Sequence, residues 1–234
     1  MTQRQLEDFR RRLLVRALAA GALAAGYVAD GPAQRLGKVP KPLPRGKSIY
    51  EIDGTVDVDG AAADAATAIG ATSTVTTAAG GRAIFIVGKD AFLLREKSRL
   101  QLTGTGLLVQ GLRLVSGALL SVFGTTRHSF VTPTSTIGIR GTGLYVEADP
   151  DQSYICTCYG VVDLAATADS TQSQTVASRH HDAPRYVLAA GGALIRPAPF
   201  RNHTDLELAL IEALVGRTPP FPVFDNSYGS PRRY

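Results

Sequence analysis

Apolar residues alternate with polar ones in short runs through the middle of the chain, and the runs recur at spacings near ten residues. Val56 and Val58 alternate with acids and stop at Asp59-Gly60, a turn dipeptide. Ala83-Ile84-Phe85-Ile86-Val87 closes at Gly88-Lys89-Asp90, and Ala91-Phe92-Leu93-Leu94 follows directly, which predicts a hairpin. Leu100 with Leu102 and Leu112 with Leu114 continue the alternation. After Gly117, Ala118 leads into Leu119-Leu120-Ser121-Val122-Phe123. Short strands broken by glycine predict an all-β domain over residues 48–164.

Beyond that the pattern changes. Residues 165–182 are small and polar and read as a long loop, and Tyr186-Val187-Leu188 and Ala193-Leu194-Ile195 as two more short strands. Thr204-Asp205-Leu206-Glu207 is a capping box, in which a hydroxyl and a carboxylate satisfy the free N–H groups of a helix start. Leu206, Leu210 and Leu214, with Ile211 and Val215, form a helical stripe ending at Gly216. Residues 165–217 are therefore expected to hold a loop, short strands and one C-terminal α-helix packed on the β domain, with an irregular tail over 218–234. Before the β domain, residues 31–47 hold Pro32, Pro40, Pro42 and Pro44, too many for a helix or strand interior, and predict an extended linker.

The N-terminus reads as an address. Arg10-Arg11-Arg12-Leu13-Leu14 opens an Ala/Gly/Leu-rich run, the order of a twin-arginine signal, so residues 1–30 are expected to direct export. The uncharged part, residues 17–29, is 13 long, short of the roughly 20 that span a bilayer as a helix. Membrane attachment is thus expected only through this segment if it stays uncleaved, and no cysteine lies near it for lipidation. Removing residues 1–30 lowers the formal charge from +5 to +3. That is an ordinary surface, with no basic stripe of the kind that drives nucleic-acid binding.

Thr132-Pro133-Thr134-Ser135-Thr136-Ile137-Gly138-Ile139-Arg140-Gly141-Thr142-Gly143-Leu144-Tyr145-Val146 closely resembles the signature of FecR domains. In that family a Thr-Pro segment leads through small residues to Arg-Gly-Thr and a strand. Gly54-Thr55-Val56, Ala79-Gly80-Gly81-Arg82-Ala83, Gly117-Ala118-Leu119 and Gly160-Val161-Val162 stand in the matching order, so the resemblance covers residues 48–164. It implies a periplasmic domain of short stacked strands, β-solenoid-like or β-sandwich-like. The family's regulators span the inner membrane and relay a signal from an outer-membrane transporter to a sigma factor. Here only nine residues precede Arg10, which points instead to a free-standing periplasmic scaffold or signalling module with an envelope protein or glycan as partner. In the signature itself, Gly138, Gly141 and Gly143 suggest bends or close backbone approach. Arg140 is expected to bond loop carbonyls, with a ligand as the alternative.

The only two cysteines are Cys156 and Cys158. Two apart on a strand, they share a face. A disulfide between them would close almost no loop and add little stability. Three of the four histidines follow, His180 and His181 beside Asp182 and then His203. Thiolates with imidazoles suit zinc, copper(I) or iron, so Cys156, Cys158, His180, His181 and His203 form a candidate metal or cofactor site. The spacing matches no standard zinc finger. Vicinal histidines diverge on an extended backbone, so one of His180 and His181 is expected to bind.

No Gly-x-Ser-x-Gly elbow, phosphate loop or His-Glu-x-x-His is present. His128 and Ser129 are adjacent, and neighbours on a strand face opposite ways. The reading is of a non-enzymatic module. The catalytic alternative is a thiol-disulfide oxidoreductase using Cys156 and Cys158, without the helix N-terminus that lowers thiol pKa in Cys-x-x-Cys enzymes.

Overall fold

The computed structural model describes residues 40–44 and 46–223. The expected export segment, residues 1–30, lies outside the described residues, as do most of the linker and the end of the tail. Fourteen strands are described: β1 (Ile49–Asp53), β2 (Val56–Val58), β3 (Ala61–Ala62), β4 (Thr74–Thr77), β5 (Arg82–Val87), β6 (Asp90–Leu94), β7 (Arg99–Thr105), β8 (Leu108–Val122), β9 (Arg127–Val131), β10 (Ser135–Ala148), β11 (Gln152–Ala166), β12 (Ser173–Ser178), β13 (Arg185–Leu188) and β14 (Ile195–Pro197). One helix, α1 (Asp205–Leu214), follows them. The strands join one open mixed sheet, antiparallel except where β8 runs parallel to β9 with Leu112 beside Phe130. The all-β fold with a helix near the C-terminus is as expected. No helix among the described residues is long and apolar enough to cross a membrane.

Not all strands are short. β8, β10 and β11 run for 15, 14 and 15 residues and change neighbours partway. The first part of β8 pairs with β7 and its last part with β6 and β10. The first part of β10 pairs with β9, its last part with the end of β8, and β11 runs along it throughout. Residues 152–155 of β11 pair with β13, and residues 160–165 with β12. The changes fall at Gly117, Gly141 and Gly160, whose φ angles are 84°, 59° and 92°. A left-handed backbone inside a strand bends it and is cheap only for glycine. Gly117, read as a strand break, is therefore a bend within a continuous strand, and Gly141, expected to mark a bend or close approach, is one. The sheet folds at these bends into two facing layers.

The main core lies between the layers. Phe92, Leu119, Val146 and Ile155 enter it from one side, and Leu100, Leu114, Phe130, Ile139 and Val162 from the other. Strand alternation sends Ala91, Leu93, Leu120, Val122, Tyr145 and Tyr154 to the opposite face of the first layer, where they meet Leu208, Ile211 and Leu214 of α1. β6 is buried at all five positions because both its faces are covered. Thr204 and Glu207 complete the expected capping box. The helical stripe differs from expectation: Leu206 is 49% exposed, and the buried face runs through Leu208, Ile211 and Leu214. Two leucine stripes overlap on α1, and the one with sheet beneath it is the one buried.

Two boundaries also differ. Residues 165–182 are not one long loop, since β12 pairs along β11 with Val176 beside Val162. Its single buried apolar residue among Ser, Thr and Gln leaves no hydrophobic pattern to read. Nor does the sheet stop at 164, because β11 runs to Ala166 and β12, β13 and β14 extend it.

The bend at Gly160 is tight. A Cβ there would lie 2.5 Å from Thr142 Cγ2 and 2.9 Å from the Gly141 carbonyl. Gly160→Ala is expected to cost about 1–3 kcal/mol of stability. Gly192→Ala, in open space, should stay within about 0.5 kcal/mol. Chemical denaturation of the two variants checks the contrast.

Candidate metal centre

Cys156 and Cys158 sit on β11, on the face covered by α1, and both are fully buried free thiols. The ladder is irregular there. Leu144 pairs with Thr157 and Gly143 with Tyr159, so Cys158 has no partner in the register with β10. On the other edge of β11, β13 ends at Ile155 and β12 begins at Gly160. The loop between β12 and β13 fills that gap, and the His181 N–H donates to the Cys158 carbonyl at 2.9 Å. Asp182 shapes the loop by accepting from the Arg179 and His180 N–H groups at 2.8 and 3.2 Å. His181 itself is left-handed, with φ 55°.

His203 arrives from the segment before α1. Asn202, also left-handed at φ 61°, receives a hydrogen bond from Arg95 on its carbonyl at 2.7 Å and donates to Glu147 at 2.7 Å. The Tyr145 ring stacks on the His203 imidazole at 4.4 Å. Arg201 pairs with Glu147 and lies over the Tyr154 ring at 4.7 Å.

These elements bring Cys156, Cys158, His181 and His203 together with one ligating atom each, all within 4.8 Å of one another. Cys156 Sγ lies 3.4 Å from His181 Nδ1, Cys158 Sγ 3.5 Å from His203 Nε2, and the two facing nitrogens 3.1 Å apart. Tetrahedral coordination at the usual zinc bond lengths requires about 3.5 Å between sulfur and nitrogen and about 3.3 Å between nitrogens. The outward nitrogens have acceptors. His181 Nε2 lies 2.9 Å from Asp205 Oδ1, and His203 Nδ1 lies 2.7 Å from the Arg201 carbonyl. Donation to those oxygens places both protons outside and turns two lone pairs toward each other. Lone pairs at that separation repel unless a proton or a metal ion lies between them. Carboxylate and carbonyl acceptors behind histidine are the usual outer partners of metal-binding imidazoles.

The charges couple accordingly. Burial resists ionisation of Cys156, but hydrogen bonds from Cys158, His181 and His203 outweigh it and hold this thiol well below its ordinary pKa. Burial and the neighbouring Cys156 push Cys158 well above. Burial alone would lower His181, yet Asp205 and Cys156 raise it to about 9. Burial works against ionisation of Asp205, but hydrogen bonds from His181 and His180 hold it below the usual carboxylate range.

Four of the five expected ligands are thus brought together, and His180 is not. Its Nε2 meets Asp205 Oδ2 at 2.8 Å and its ring stacks on Phe221 at 4.1 Å. The two vicinal histidines grip one carboxylate, and only His181 also reaches the sulfurs. Asp205 went unread because the capping box accounted for it; His203-Thr204-Asp205 was the signal. Phe200 and Phe221, which cover the histidines, carried none.

The 132–146 signature lies elsewhere except at its end, where Tyr145 stacks on His203. Thr132, Thr134 and Ser135 are buried with Ser153 in a hydroxyl network, with Thr134 Oγ1 at 2.7 Å from Ser153 Oγ and 2.9 Å from the Val187 carbonyl. Arg140 pairs with the Asp163 carboxylate at the surface and not with loop carbonyls, because the antiparallel register sets Asp163 opposite Gly138, diagonally across from Arg140 on the same face. His128 is buried against Asp90 at 3.0 Å while Ser129 is exposed, opposite faces as expected.

No protein-family model and no curated protein matches the chain. Among solved structures, two crystal structures at 1.65 and 2.50 Å resolution of a chain assigned as an anti-sigma factor, from Parabacteroides distasonis ATCC 8503, are similar to it at low identity. Each superposes with a TM-score of 0.44 and 10% identity over 53% of this chain. This chain spans 58% of their length.

Both thiols being free and buried, a maleimide reagent should label neither in the folded protein and both once it is unfolded without reductant. Unfolded protein that stays unlabelled would reveal a disulfide instead.

Proposed function

We propose that this chain is an exported, non-enzymatic FecR-like scaffold or signalling module of the bacterial envelope, built around a metal centre of Cys156, Cys158, His181 and His203. The observation that carries the metal centre is the buried quartet, two sulfurs and two inward imidazole nitrogens at coordination spacing. The FecR-like reading rests on the ordered motifs of residues 48–164, and export on Arg10-Arg11-Arg12 and the apolar run behind it. The partner is taken to be an envelope protein or glycan. A signature with Thr132, Thr134, Ser135 and Thr142 buried in the fold fits a scaffold better than a catalyst.

A second reading has one observation in its favour. Cys156, His181 and Asp205 stand in the order of a thiol nucleophile, its base and the base's orienter. Against it, Cys156 is fully buried, and a reactive thiol needs partial exposure. That reading also leaves His203, which faces Cys158, without a role.

Elemental analysis of natively exported, chelator-free protein should find about one metal ion per chain. Cys156→Ser with Cys158→Ser, and separately His203→Ala, should abolish it, while His180→Ala should keep it. Metal-free wild-type protein would sink the metal centre, and disulfide reductase activity lost with the double serine variant would favour the thiol enzyme. Asp205→Asn should weaken metal affinity about 10–100-fold, read by chelator competition.

A further inference from the structure

We propose that the metal is Zn2+ and that it latches helix α1 onto the sheet, an inference that rests on the metal centre above. Two sulfurs and two nitrogens closed around one point are the donor set of structural zinc, a borderline ion with no redox chemistry to disturb a thiolate pair. All four ligands are buried, which leaves no open position for substrate.

The ligands come from three places. Cys156 and Cys158 belong to β11, His181 to the loop that fills its edge, and His203 precedes the helix by two residues. Asp205, the first residue of α1, accepts from His181 and His180. The N-terminal end of α1 is therefore tied to the site twice, through a ligand and through the carboxylate behind another ligand. Ten residues are too few for a helix to persist alone in water, so α1 depends on its docking. The core between the layers contains no residue of α1. The sandwich can thus keep its core when the helix lifts, whereas the face bearing Leu93, Leu120, Val122, Tyr145 and Tyr154 loses its cover. Lifting α1 carries His203 away from the sulfurs and costs the ion a ligand. Bound zinc must oppose that motion by linkage, whatever the packing of Leu208, Ile211 and Leu214 contributes besides.

Hydrogen exchange on the full chain tests the latch, comparing protein at free zinc about 100-fold above its Kd with chelated protein. The amides of Leu208, Ile211 and Leu214 should exchange about 100-fold more slowly with zinc, and those amides of β2, β4 and β7 that exchange through local openings, without global unfolding, at unchanged rates. Equal α1 exchange in both states, with zinc bound, overturns the latch and leaves the metal centre standing. Equal slowing of those locally exchanging amides also overturns it, since zinc would then act on the sheet and not on the helix. Copper or iron in place of zinc in the natively purified protein overturns the zinc assignment. Failure to bind any metal removes the metal centre and the latch together.

Discussion

The bend at Gly160 obliges β11 to leave one layer of the sheet for the other, and no single neighbouring strand follows it along that edge. β13 accompanies it as far as Ile155 and β12 takes over from Gly160. Between them lies a short stretch of unpaired strand edge, buried beneath a helix. Backbone groups there need partners, and the loop carrying His180 and His181 supplies one to the Cys158 carbonyl. The same topology that folds the sheet thus brings imidazole beside two thiols.

Packing and the proposed coordination divide the work between the two faces of the first layer. The core between the layers is apolar and draws on both of them, which suits a sandwich that stands by hydrophobic burial alone. The outer face is thinner, with one short helix as its cover. Burial of Leu208, Ile211 and Leu214 stabilises that cover by roughly 1.5–3 kcal/mol per side chain at most. Ordering the 202–207 segment and the helix itself opposes this with a loss of backbone freedom at every residue. Burial of three side chains does not by itself offset that loss, so ties at the helix N-terminus bear on how firmly the face is covered. Arg95, which meets both Asn202 and Glu207, reinforces the same junction.

The strands of the first layer were legible because a short apolar run bounded by turn residues is a local property: residues 83–87 and 91–94, on either side of Gly88-Lys89-Asp90, can be read without knowing what covers either face. β12 was not, since a lone Val176 among hydroxyls and amides has no period. The close glycines around Gly141 suggested a bend, but the one at Gly117 was visible only as a glycine, because it interrupts an apolar pattern whether a strand ends or turns there. Of the site, Cys156 and Cys158 were legible as a pair by strand geometry and the histidines by chemistry. Which of His180 and His181 faces the sulfurs depends on a left-handed φ at His181, which no side chain announces. Asp205 was hidden by a second, local role at the start of the helix.

X-ray absorption at the zinc edge on natively purified protein tests the centre most directly, because it reports the donor atoms themselves. Two sulfurs at about 2.3 Å and two nitrogens at about 2.0–2.1 Å are expected for coordination by Cys156, Cys158, His181 and His203. A shell of oxygens and nitrogens without sulfur would contradict it, and would mean that any zinc present sits elsewhere on the protein.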